Sequence, residues 1–452
     1  MNYLELAAKN SPAVRQKFYE YQAALQKVPQ AGALQDPELS LGVFLKPMEL
    51  VEGRQVSDIT LMQMFPWFGV LRNAKDEMSL MANAKFEEFR DSKLQVYYDV
   101  QRTWYDLFKL RENIQISEKN VGILKSIENL ALIRYKTAPS GSTASGPQPV
   151  RPSAGSSAAQ SGASGRMSGM PGSAGSSTVQ SNPQSSMQSG GSMGGPGTGT
   201  SLADLYRITI EISDLENSIA LLHDQERSVI AGFNSLLNRP SLSPVYSADT
   251  LVTDTLKLSL PAVADSIRKS NPMLGMIEYE RKSYEARQKM VKAMGYPMVG
   301  LGLNYSVISK SEASMSPDMN GKDMLMPMVR MTLPIYRKKY RAMQKEAELM
   351  SRSSNENFAA TSNNLQTQYY QAVQQYEDAR RRITLYDEQY QLASKSLELV
   401  VKSYSASGSD LTDVLRVRQQ TLDYELSKIQ AAADLNTATA LIKRLMASSE
   451  IE

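Results

Sequence analysis

Two stretches of this chain admit almost only one secondary structure. From about Leu71 to Tyr135 there is no proline and a single glycine, Gly122, and from about Lys338 to Tyr404 there is neither. Proline and glycine are the strong interrupters of helices, so each stretch reads as one unbroken helix. At 1.5 Å of rise per residue each reaches on the order of 100 Å, too long for a compact domain to hold without a partner. Tyr97, Val100, Trp104 and Leu107 step at heptad-like spacing, and Ile116, Ile123, Ile127 and Leu130 do so again. Gln, Asn and Arg interrupt this apolar stripe and keep it narrow. Such a stripe suits helices packed side by side with a solvated face, not a helix sunk in a globular core.

The long helices belong to a pattern that occurs twice. Asn10 and Pro12 are followed by Pro37, Leu39, Leu41 and Gly42; Asn271 and Pro272 are followed by Pro297, Val299, Leu301 and Gly302. Each first proline stands 25 residues before the second, and each second proline 5 before the glycine. Each copy then passes a further proline, Pro66 or Pro334, and enters a long helix that ends at Tyr135 or Tyr404. Another helix opens with Leu202, Asp204 and Leu205 in one copy and with Leu411, Asp413 and Val414 in the other. The order is helix, two strands, long helix, turn, helix. The expected organisation is a first repeat over 1–136, a return helix and equatorial connection over 201–260, and a second repeat over 261–452. Residues 137–200 are nearly all Ser, Gly, Pro, Ala, Gln and Thr, with scattered Met. That composition cannot bury enough apolar surface to offset ordering, so it reads as disordered. It falls where the second copy has only Ser405–Ser409, which makes it an insertion at a helix–helix turn. Closure entropy grows slowly with length, so such turns tolerate long insertions.

The strands carry the rest. From Val299 to Val307 every odd residue is apolar or aromatic and every even one is Gly, Asn or Ser. Nine residues of period two are about what a tilted strand needs to cross a bilayer. Val299, Leu301, Leu303 and Tyr305 are expected to face lipid, with Gly300, Gly302 and Asn304 facing a lumen. Leu325, Val329, Met331 and Leu333 share one face, with Arg330 and Thr332 on the other; Leu39, Leu41 and Val43 alternate with Ser40 and Gly42. Ile59 and Leu61 continue the idea less cleanly, because Gln63 falls in phase with them. Four strands cannot close a barrel, for which about eight is the practical minimum, and open edges cannot sit in lipid. Strands in a membrane would therefore have to be pooled by several chains. The alternative of another class is a structural coiled-coil envelope protein with a flexible linker, which has no use for these strands.

Composition removes most chemistry. No Cys and one His, His223, leave no disulfide, thiol nucleophile, thiolate cluster or histidine pair for a metal. A net charge of +3, without a dense basic run interleaved with aromatics, argues against nucleic acid. Asp36, Glu38, Glu87 and Glu88 form no acid/base pair, and there is no phosphate-cradling loop or nucleophile elbow. No enzyme and no cofactor are expected. No run of 18 apolar residues exists, which excludes a membrane-spanning helix but not a β-barrel. The chain opens at Met1-Asn2-Tyr3 without a basic and then apolar leader, so either it is cytoplasmic or a secretory signal lies outside this sequence. His223 reads as an ordinary helix residue. Arg380–Arg382 and Arg337–Lys339 read as solvated faces or a membrane boundary.

The doubled plan, the Asn-Pro openings at 10–12 and 271–272 and the proline-marked starts of the long helices resemble the TolC family of outer-membrane efflux ducts. The turn Tyr404-Ser-Ala-Ser-Gly408-Ser-Asp-Leu-Thr-Asp413-Val-Leu415 is similar to the family's helix-turn at the periplasmic tip. Pro29 to Leu39 is similar to the approach to the first strand in metal-efflux members. The resemblance implies a mainly α fold with a small β part: a homotrimer with a 12-stranded outer-membrane β-barrel and a long α-helical barrel across the periplasm. It implies a passive conduit for toxic compounds or metal ions, working with an inner-membrane RND pump and a periplasmic adaptor. It also implies a gate at the tip. Tyr404, Asp410 and Asp413 fall near the second-repeat gate positions, and Asp204 and Arg207 near the first-repeat ones. This chain departs from the family pattern in having Arg416 where an acidic residue is common. The expected latch therefore has Arg416 or Arg418 meeting Asp204 or Asp413 on a neighbouring helix.

The 24 methionines exceed ordinary usage. Met167, Met170, Met187 and Met193 lie in the insertion; Met315, Met319, Met324, Met326 and Met328 lie in or beside the hairpin after the third strand. Thioethers suit Cu(I), but flexible filling of helix seams and low-complexity sequence is the preferred reading.

Overall fold

The computed structural model describes residues 3–50, 53–137, 202–246, 251, 260–312, 320–406 and 408–447. The insertion, with Met167, Met170, Met187 and Met193, lies outside these, as do Met315 and Met319. The first half runs α1 (Tyr3–Asn10), α2 (Pro12–Gly32), β1 (Glu38–Leu50), β2 (Gly53–Phe65), α3 (Val70–Thr137) and α4 (Leu202–Leu236). The second runs α5 (Leu260–Ser270), α6 (Pro272–Met294), β3 (Met298–Ser309), β4 (Met324–Thr332), α7 (Arg337–Ser405) and α8 (Leu411–Met446). Each half is thus two helices, a hairpin, a long helix and a return helix. The α3 helix has 68 residues and α7 has 69, close to the unbroken lengths expected.

The chain divides into two units. One comprises Met1–Ile123 with Ile212–Glu452, the other Leu124–Glu211. The smaller unit holds the end of α3 and the start of α4, where Thr209 donates from Oγ1 to Glu128 Oε1 at 3.1 Å.

In the larger unit a proline at the first helical position opens both α2 and α6. Asn271 caps α6: its Oδ1 accepts from Met273 N and its Nδ2 donates to Leu445 O, each at 3.0 Å. The second bond ties the start of α6 to the end of α8. The corresponding position of the first copy is Ser11, whose side chain makes no cap bond, while Asn10 ends α1. The Asn10–Asn271 correspondence in the sequence is therefore displaced by one residue.

The core is a set of helix seams. Val263, Ile267, Leu274, Leu365, Tyr369, Ala372, Tyr376, Ala379, Leu435, Ala438 and Ile442 form one cluster among α5–α8. Ala7, Val14, Val96, Val100, Leu107, Phe233 and Leu237 form another among α1–α4. Alanine at the contact lets helices approach closely, which is how a narrow stripe suffices. Ion pairs border the seams: Lys428 with Asp387, and Arg382 Nη2 with Asp434 Oδ2 at 3.0 Å.

Candidate functional site

Among the described residues four strands form one antiparallel sheet in the order β1-β2-β3-β4. Side chains alternate across a strand, so the register settles which residues share a face. Leu41, Ile59, Tyr305 and Leu325 stand in one row, and Leu39, Leu61, Leu303 and Pro327 in the next. Leu301 pairs with Val329 and Val299 with Met331. This face is apolar and uncovered: Leu301 is 54%, Leu325 60% and Val329 73% exposed. Gln63 does lie on it, at the helix-proximal end, where its Nε2 donates to Gln35 O at 2.8 Å and Met64 O at 3.1 Å. Backbone carbonyls thus satisfy the amide that broke the alternation. At the same end Trp67 stacks on Tyr296 at 5.3 Å between centroids, and Phe68, Ile335 and Tyr336 stand exposed. An apolar band bounded by aromatic residues is the signature of a strand sheet meeting a membrane interface.

The opposite face is divided along its length. Away from the helices it carries Ser40, Gly42, Asp58, Thr60, Asn304 and Ser306, with Asn304 Nδ2 donating to Thr60 Oγ1 at 2.7 Å. Met324 and Met326 complete those rows on β4. Nearer the helices it carries Met62, Met64, Met298, Met328 and Arg330 around Gly300 and Gly302.

The turn from α7 to α8 is tied by backbone and side chain. Gly408 N donates to Ser403 O at 2.8 Å, and Ser409 Oγ to Val400 O at 3.1 Å. Asp410 is the N-cap of α8, its Oδ1 accepting from Leu411 N at 2.8 Å. Asp413 lies in the first turn of α8, where the helix dipole favours an acid. Arg416 Nη2 meets Asp413 Oδ1 at 2.9 Å, three residues apart on the same helix. Tyr404 and Arg418 are 2% and 1% exposed.

Closer to the sheet, charges join α2 to α3. Lys17 Nζ and Lys85 Nζ each lie 2.6 Å from a carboxylate oxygen of Glu88. Burial pushes the Glu88 carboxyl up, but the hydrogen bonds from the two lysines outweigh it and hold it below the usual carboxylate range. Asp91 on α3 and Glu280 on α6 lie above that range, both mainly through burial.

The family model described as Outer membrane efflux protein matches residues 263–448. Solved structures extend the similarity of fold over the whole chain. VceC from Vibrio cholerae is 12% identical with a TM-score of 0.70, covering 99% of this chain and 95% of its own. The outer-membrane channel OprN is 12% identical at a TM-score of 0.71, covering 100% and 90%. The open state of MtrE from Neisseria gonorrhoeae is 12% identical at 0.67, covering 99% and 88%. No curated protein matches the chain.

Residues 263–448 thus match the outer membrane efflux protein family, and the chain as a whole shares the fold of solved outer-membrane channels. Val299, Leu301, Leu303 and Tyr305, the set expected to face lipid, sit together on the apolar face of the sheet, opposite Gly300, Gly302 and Asn304. At the tip the described contacts are these. Arg416 turns to Asp413 on its own helix, and Asp410 caps α8. Arg418 and Tyr404 are buried within the chain. Asp204 and Arg207 lie in the first two turns of α4, in the smaller unit. Met324, Met326 and Met328 lie in β4, within the hairpin where they were expected. The methionines on the inner sheet face were missed as a group. Their signal is parity: Met62, Met64, Met298 and Met328 all fall in phase with Gly300 and Gly302.

Proposed function

We infer that three copies of this chain pool their strands into a closed 12-stranded barrel and form a passive export duct. The observation that carries this is the sheet itself. One face is an exposed apolar band, and among the described residues β1 and β4 are edges without a neighbouring strand. Unpaired backbone groups cost several kcal/mol each in hydrocarbon, about enough that only closure makes such a sheet viable there. Channels of this family form trimers in tripartite efflux systems. By that likeness the duct receives toxic compounds or metal ions from an RND-type inner-membrane pump, through a periplasmic adaptor. The long helices extend it towards the pump, and residues 137–200 interrupt the turn between the long and return helices of the first repeat. The domain division at 1–136, 137–200, 201–260 and 261–452 follows from that reading.

The tip is the gate in this proposal. Asp413 and Arg416, paired and exposed, are the second-repeat groups able to change partner. Asp204 and Arg207 are their first-repeat counterparts. Detergent extraction of membranes followed by sizing tests the duct. A trimer that conducts in planar bilayers supports it, and a monomer stable without detergent sinks it.

A further inference from the structure

Membrane barrels usually present polar side chains to their water-filled interior. Here the helix-proximal half of the inner face presents thioethers instead. Met62 and Met64 on β2 and Met328 on β4 flank Gly300 and Gly302 on β3. The glycines make room for them. A Cβ on Gly300 would stand 2.5 Å from Met64 Sδ and 3.3 Å from Met62 Sδ. Two thioether sulfurs therefore converge on one point, a few ångström apart. Gly302 gives the same opening to Met62, whose Cε and Sδ would lie 2.7 and 3.0 Å from its Cβ. Met328 pairs directly with Gly302, which places it across that opening from Met62. Neighbouring strands are about 4.8 Å apart, so a third thioether is within side-chain reach.

We propose that Met62 and Met64, with Met328 as a third donor, form a transit site for a soft monovalent cation, Cu(I) or Ag(I), on the inner wall of the duct. Neutral thioethers are the donors that suit such ions, and the chain has no cysteine to compete. Arg330 stands beside the pair, its Cβ 3.5 Å from the same Gly300 point. Its positive charge, carried on the same face, opposes a cation and weakens the site. Weak binding is what passage requires, because an ion must leave as readily as it enters. The proposal rests on the duct reading for its direction of transport, but the donors belong to one chain. Simple packing of flexible side chains over glycine is the competing account.

The test titrates the full-length protein in detergent with silver nitrate in chloride-free buffer. Bound silver is counted, and methyl-13C methionine resonances are followed. The site predicts about one bound ion per chain at these donors, with the Met62 and Met64 methyl signals moving together. Met62→Leu with Met64→Leu should weaken binding at least about tenfold, the scale on which loss of a metal-site group acts. Arg330→Gln should tighten it. Leucine at 167, 170, 187 and 193 should leave this binding in place. Unmoved Met62 and Met64 signals, or silver lost only with the insertion methionines, would overturn the proposal. The NMR reading needs no variant, so a double variant that fails to assemble does not rescue it. A conducting trimer without silver binding removes the site and keeps the duct; silver binding by a monomer does the reverse.

Discussion

Leu301 and Asn304 are three residues apart on β3 and face opposite ways, so one substitution chemistry can be tried on both faces. An arginine near mid-bilayer on the lipid face of a barrel costs about 2–4 kcal/mol, and little on the lumen side. Leu301→Arg should lower trimer yield in membranes, while Asn304→Arg should not; equal yields would contradict the facing. Asn271 offers a second residue-scale test. Asn271→Ala removes the α6 cap and the bond to Leu445 O, and should cost about 1–2 kcal/mol in thermal melts. Asn271→Asp keeps the cap acceptor and loses only the donor, so it should fall between. The facing of β3 was legible because its alternation is unbroken over nine residues. The burial of Arg418 was not, because only packing of α8 against its neighbours decides which of its faces is covered. Asp410 was legible as a cap from its position just before an apolar helical run.

Elements show where acidity acts. The Glu88 carboxyl, held low by Lys17 and Lys85 against its burial, stabilises the α2–α3 contact above the ordinary glutamate range. That stability is lost as pH falls through the depressed value. Glu280 and Asp91 act in the opposite sense: raised by burial, they favour the fold below their ordinary range and cost stability once pH passes their raised values. Glu88→Gln should therefore flatten the acid limb of a melting profile, and Glu280→Gln should raise stability near neutrality. An unchanged acid limb in Glu88→Gln would place the acid sensitivity elsewhere. At the α7–α8 turn, Arg416→Asp should increase cation preference in planar bilayers if the Asp413 pair borders the aperture. Unmoved selectivity would remove this pair from the gate. The doubled order of elements was readable from proline spacing, since proline marks where helices start. The one-residue displacement between Asn10 and Asn271 was not, because Ser11 takes the capping position without making a side-chain bond.

For the whole molecule, no cysteine and one histidine narrowed the chemistry, while two very long helices and, among the described residues, four strands set the architecture. Replacing 137–200 by a short Gly/Ser turn should leave the trimer intact, as read by sizing and conductance; collapse of the trimer would make the segment part of the assembly. The open β1 and β4 edges have a kinetic corollary. In the proposed trimer the transmembrane wall is not a property of any one polypeptide. Its formation is a reaction among three molecules, with a rate that falls steeply on dilution. Newly made chains, their helices already paired, would wait with sticky flanks until two others arrive. Scarcity alone could then leave a cell with well-folded subunits and no pores.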